Sequence, residues 1–153
     1  MDTIKRIVAS KPRMLLILTA IYIIVLAVLK WKLSPDIGAL LYLIGGVLGI
    51  YFLDFAEFIF NVKPSPFRSI VFLGLYLLVS FFVVSSSGNM FAIGIVLSMF
   101  LQLIFLQVIE WNSVGNLDSW YGMMDNVASR NGQIAGVFIT TLVLIIESVI
   151  FIR

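Results

Sequence analysis

Residues 37–60 read IGALLYLIGGVLGIYFLDFAEFIF, an apolar run broken only by small residues and by two acids near its end. A bilayer crossing needs about 20 such residues, so this stretch is read as a transmembrane helix. At about 100° per residue, Gly45 and Gly49 share one face as a GxxxG pair, while Asp54 and Glu57 lie roughly 80 to 180° around from it. Both faces call for protein neighbours rather than lipid. The expectation is therefore a helical bundle with this helix at its centre.

Composition agrees with that reading. The chain has 153 residues, 61% hydrophobic and 12% charged, with a mean hydropathy of +1.13. Soluble domains carry about twice that charge, so this is read as a polytopic membrane protein with no room for a separate soluble domain. The sequence contains neither Cys nor His. That excludes disulfides, thiol nucleophiles and most zinc and copper sites, and no metal or cofactor is expected. A net charge of +2, with basic residues at the predicted membrane edges, gives no reason to expect nucleic-acid binding. The motifs HExxH and GxSxG and the phosphate-binding glycine loop are missing too, so no enzyme is expected.

The fold class expected is all-α: five transmembrane helices, at about 14–30, 37–60, 67–86, 89–109 and 133–152, in one membrane domain. Ahead of the first helix, Lys5, Arg6, Lys11 and Arg13 alternate with apolar residues and suit an anionic leaflet. The first helix has only Thr19 and Tyr22 as polar side chains and is expected to face lipid most. Ser34-Pro35-Asp36 breaks the chain and offers a cap to the second helix. Lys63, Pro64, Pro66 and Arg68 make a short basic loop before the third, on which Ser69, Tyr76, Ser80 and Ser87 form one stripe. The turn at 85–89 is so short that helices three and four must be antiparallel neighbours. Gly94, Ser98 and Gln102 recur every four residues on the fourth helix as another small, polar seam.

Composition changes between Glu110 and Gly132. Leu117, Trp120, Tyr121 and Met124 recur at helical intervals among Asp118, Ser119, Asp125 and Asn126, predicting an amphipathic interfacial helix over about 117–130. Asn116 would cap its start and Asn131-Gly132 would end it. Two acids against one base argue for docking on protein rather than on anionic lipid. Its apolar face is thus the expected partner-docking surface. The fifth helix places Gly136, Thr140, Val143 and Glu147 on one inward stripe.

Five crossings put the termini on opposite sides. With the amino terminus cytoplasmic, seven Lys and Arg lie inside against three outside, as the positive-inside rule prefers. A bacterial-type plasma membrane is the expected location.

Four carboxylates stand out as an ion or proton site or as ion pairs. Asp54, Glu57 and Glu110 gather at the predicted cytoplasmic edge, where Arg68, Lys63, Arg13 and Lys11 could pair with them. Asp54 lies roughly 9 Å inside its helix end, where an unpaired charge is costly. Glu147 lies about five residues inside the opposite edge, with Tyr42, Ser80, Lys30 and Lys32 as candidate partners. A lysine there would make the pair structural. Without one, the carboxyl could relay a proton or bind an amine. The function expected is that of a non-enzymatic subunit or assembly component of a larger membrane complex. A small oligomeric transporter using the carboxylates is the alternative, and an intramembrane enzyme acting on lipid a third. The expected company is the lipid bilayer and a membrane-protein partner or a second copy of the chain.

Overall fold

The computed structural model describes residues 13–31, 36–61 and 65–151. The basic segment before Arg13, and Lys32, Ser34, Pro35, Lys63, Pro64 and Arg153, lie outside the described residues, as do the side chains of Trp31 and Phe151. All regular structure among the described residues is helical: α1 (Arg13–Trp31), α2 (Ile37–Phe60), α3 (Ile70–Ser86), α4 (Met90–Val114), a 3-10 turn (Asp118–Tyr121), α5 (Arg130–Ile146) and a π turn (Glu147–Phe151). Four stretches, Arg13–Lys30, Ile37–Phe60, Met90–Val114 and Arg130–Ile150, are long and apolar enough to cross a membrane. The fifth apolar helix, α3, is shorter, at 17 residues.

Helix ends follow local chemistry. The Ser69 hydroxyl accepts from the Phe72 amide, so α3 starts at Ile70 rather than at Phe67, behind the turn that Pro66 sets. Asn89 caps α4 by accepting from the Phe91 and Ala92 amides. Asp36 occupies the cap position of α2 without a side-chain cap bond. α4 runs past the end of its apolar stretch, through Glu110 to Val114. It stops where Gly115 takes the left-handed conformation, with φ of 82°, and returns its amide to the Trp111 carbonyl at 2.8 Å.

The centre of the bundle is α4, not α2 as the sequence predicts. It touches α1, α2, α3 and α5, and 56% of its apolar window is buried against 39% for α2. α2 packs against α1 and, far more extensively, against α4. That second contact is the GxxxG seam. A Cβ on Gly45 would strike the Phe91 carbonyl, one on Gly49 would strike Ser98 and Ile95, and one on Gly94 would strike the Tyr42 carbonyl. Gly45 and Gly49 thus meet the Gly94/Ser98 seam, with residue numbers rising together, so the two helices run parallel. α3 returns the chain and packs antiparallel on α4. The Tyr76 hydroxyl donates to the Val96 carbonyl at 2.6 Å, and its ring meets Phe100 edge-on at 5.9 Å, as antiparallel neighbours joined at Ser87–Asn89 require.

α1 has the least buried window, 22%, and turns only Leu15, Thr19, Ile23 and Leu26 fully inward. Its remaining Leu, Ile and Val side chains are largely exposed, as are those of α3 and α5. On soluble proteins large exposed apolar patches mark interaction sites, and here they form a hydrocarbon-compatible belt.

The long amphipathic helix expected over 117–130 is not formed. A single 3-10 turn covers Asp118–Tyr121, irregular chain follows, and α5 begins at Arg130, so Asn131-Gly132 lie inside a helix instead of ending one. Ser129 caps it by accepting from the Gly132 amide at 3.3 Å. A short turn lets Leu117, Trp120 and Tyr121 all enter the core, and side chains hold the amides at its start, which have no partner within a helix. Gln133 Oε1 accepts from the Leu117 amide at 2.8 Å, and Asn116 Oδ1 from the Asp118 amide at 3.3 Å.

Candidate functional site

Glu147 sits where α5 passes into the π turn, with its side chain fully buried. The inward stripe predicted from Gly136, Thr140 and Glu147 is present. Thr140 is buried, and a Cβ on Gly136 would stand 3.6 Å from the Tyr121 hydroxyl. Opposite Glu147 is Ser80 of α3, also fully buried, with Oγ 2.9 and 3.0 Å from the two carboxyl oxygens and 3.2 Å from the Leu77 carbonyl. A serine has one proton to donate. If the carboxyl is ionised, that proton serves two oxygens. If it carries a proton, Glu147 donates to Ser80 and Ser80 to Leu77, so every donor is used.

The next residue extends the cluster to α1. Ser148 donates to the Leu144 carbonyl at 2.6 Å, which leaves its oxygen to accept from the Tyr22 hydroxyl. Lys30, expected as a partner of Glu147, instead donates to the Val149 carbonyl at 2.7 Å, satisfying one of the orphan acceptors at a helix end. Among the described residues no cation forms an ion pair with Glu147. α1, α3 and the end of α5 are thus tied by a carboxyl and hydroxyls that answer one another. π turns recur at functional positions in helical proteins, and this one displays two adjacent polar side chains inward.

The acids at the other edge do not form one group. Glu57 accepts from the Ser65 hydroxyl and lies 3.7 Å from Arg68, whose side chain is half exposed. Glu110 accepts from the Ser119 hydroxyl and from the Trp120 indole, the latter at 3.0 Å. Asp54 is half-buried on α2. Among the described residues no three acids are close enough together to hold a metal ion. The ion pair expected for this edge is present as Arg68–Glu57, while Glu110 works as an anchor for the following segment.

That anchor changes the reading of Leu117, Trp120 and Tyr121. All three are buried, Trp120 completely, and they belong to the main core instead of offering a docking face. The Tyr121 phenol is pushed above its ordinary pKa of 10.0 by this burial. Of the predicted docking residues only Met124 is exposed, together with Met123 and Val127. Gln133 organises the segment and is missing from the sequence prediction. Buried to 2% exposure, it binds the Leu117 amide, Asp118 at 2.8 Å and the Ala128 carbonyl at 3.1 Å. Its signal was available, because Gln133 continues the Gly136, Thr140, Glu147 stripe one turn back.

The main core includes Leu53, Leu73, Leu97, Phe100 and Leu103. Gln102 and Gln107 are buried among them, with Gln107 Oε1 unpartnered among the described residues. No family model, curated protein or solved structure matches the chain.

Proposed function

We propose that the chain is a non-enzymatic subunit or assembly component of a larger membrane complex, crossing a bacterial-type plasma membrane five times with its amino terminus inside. The observation that carries this reading is that three of the four acids singled out, and the glutamine that organises the 117–130 segment, are held by groups of their own chain. Glu57, Glu110, Gln133 and Glu147 each bind groups of their own chain. The core between them is mostly apolar, with Gln102 and Gln107 buried in it. A bundle closed in this way has its surface left to work with. On the cytoplasmic side that surface includes Met123, Met124 and Val127, exposed in a segment otherwise rich in polar residues, and flexible methionines suit adaptable protein contacts.

Five crossings are supported by the parallel run of α2 and α4, which α3 connects. At 17 residues, α3 is at the lower limit for a crossing helix. The chain's lack of cysteine makes the topology test clean. Single cysteines replacing Ser129 and Ser85, both exposed, should react with an impermeant maleimide from the inside and from the outside respectively. Labelling of both from one side contradicts the topology. For the function, the substitutions Met123→Ser, Met124→Ser and Val127→Ser together should release a co-purifying membrane protein without lowering the amount of folded chain. Unchanged co-purification removes this segment from the interface.

One observation favours a second reading, a proton- or cation-translocating unit: the buried carboxyl of Glu147 without a cation among the described residues. Buried ionisable groups inside membrane helices mark such pathways. Proton flux in proteoliposomes, lost in Glu147→Gln, supports that reading over the first.

A further inference from the structure

A groove of about 280 Å³ runs between α4 and α5, lined by Val108, Trp111, Ile134, Val137, Phe138 and Thr141. Its one side-chain hydroxyl, Thr141, is spent on the Val137 carbonyl of its own helix at 2.8 Å. The walls therefore offer an occupant nothing polar. At the Trp111 end stands Arg130, its guanidinium carbon 5.4 Å from the indole centroid. Arg130 is exposed, and among the described residues it makes no ion pair. The nearest acid along α4, Glu110, is already held by Ser119 and Trp120. A tryptophan with an arginine stacked on it is the usual furniture of a membrane interface, with apolar surface below it and headgroups at its level.

We propose that this groove is a binding site for an anionic phospholipid of the cytoplasmic leaflet, with one acyl chain along α5 from Ile134 to Thr141 and the phosphate on Arg130. From Arg130 to Thr141 the helix rises roughly 16 Å, the depth of about one leaflet of the hydrocarbon core. The tail gains no hydrophobic free energy by leaving other tails for the groove, because lipid is as apolar as the groove wall. Selection must come from the headgroup. Arg130 provides it, since a planar guanidinium held against an indole is preorganised to meet a phosphate with paired hydrogen bonds. The site depends on the membrane placement of the chain and not on its having a protein partner, so it stands or falls separately from the subunit reading.

The test is native mass spectrometry of the full chain released from nanodiscs of equal phosphatidylglycerol and phosphatidylcholine with identical acyl chains. The wild type should retain one phosphatidylglycerol in preference to phosphatidylcholine by roughly five- to tenfold, as one interfacial cation on an anionic lipid supplies. Arg130→Gln should erase the preference and Arg130→Lys should keep part of it. Because Arg130 is exposed, both variants should elute like the wild type. Thr141→Phe, which narrows the groove, should reduce retention of both lipids. Equal retention of the two lipids by the wild type, or a preference unchanged in Arg130→Gln, overturns the proposal. Phosphatidylglycerol held only through Lys or Arg elsewhere would give that second result.

Discussion

Replacing Gly45 by alanine adds one carbon to the close seam between α2 and α4. That carbon would land on the Phe91 carbonyl oxygen, 3.0 Å from the carbonyl carbon and 3.2 Å from the Ile95 amide nitrogen. Ordinary carbon contacts are about 3.5–4.0 Å. All three obstructing atoms are backbone, so no side chain can rotate away and α2 and α4 must separate along the seam. Overpacking costs typically about 1–3 kcal/mol, and an unyielding neighbour puts Gly45→Ala at about 3, roughly a hundredfold in the folded-to-unfolded ratio. Gly94→Ala meets the Tyr42 carbonyl and the Gly46 amide, also backbone, and should cost a similar amount. The double variant should lose less than the sum, because one separation of the helices accommodates both methyls. Gly74→Ala is the control: nothing lies within 4 Å of its added carbon, and relief of glycine's backbone freedom should make it neutral or stabilising by up to about 1 kcal/mol. The assay is equilibrium unfolding in mixed micelles, followed by tryptophan fluorescence. Gly45→Ala and Gly94→Ala both within about 0.5 kcal/mol of the wild type, the size of an ordinary surface change, would refute the parallel seam.

Other perturbations probe the polar contacts and the anchored segment. Glu147→Gln should leave stability within about 1 kcal/mol, since an amide keeps partners for Ser80, whereas a loss of about 3–5 kcal/mol by the same assay would reveal a broken buried ion pair. Trp120→Ala should cost about 3–5 kcal/mol because the indole is fully buried, and a cost near zero would restore the surface-helix reading of this segment. Alkaline pH should weaken the fold through Tyr121. The unfolded phenol loses its proton near pH 10.0 while the buried one holds it to higher pH, so this contribution is whole below pH 10 and is lost as pH rises through the folded value. Tyr121→Phe should flatten that limb of the pH–stability curve, and an unchanged curve would contradict the burial.

Much of this was legible in the sequence because it depends on periodicity and on small residues. Gly45, Gly49, Gly94 and Ser98 mark two seams, and the structure brings those seams together. The Gly136, Thr140, Glu147 stripe points inward as spacing predicts, and Ser80 was among the expected partners. The centre was misjudged because two acids and the Gly45/Gly49 pair made residues 37–60 look surrounded. The quieter signal in α4, with Gly94, Ser98, Gln102 and Gln107 spread over more than one face, marks the helix that touches all the other four. The 117–130 segment failed for a different reason. Helical spacing of Leu117, Trp120, Tyr121 and Met124 also fits a turn that inserts its first three side chains into a core. What decides between the two is tertiary: Gln133 and Glu110 take the donors of the segment from outside it. No local pattern records that.

The most direct measurement for the central claim is native mass spectrometry of the chain gently extracted from its own membrane. The account predicts a stoichiometric foreign membrane subunit bound to it, released when Met123, Met124 and Val127 are replaced by serine. A lone monomer or homo-oligomer, especially one whose proton flux disappears with Glu147→Gln, would contradict it.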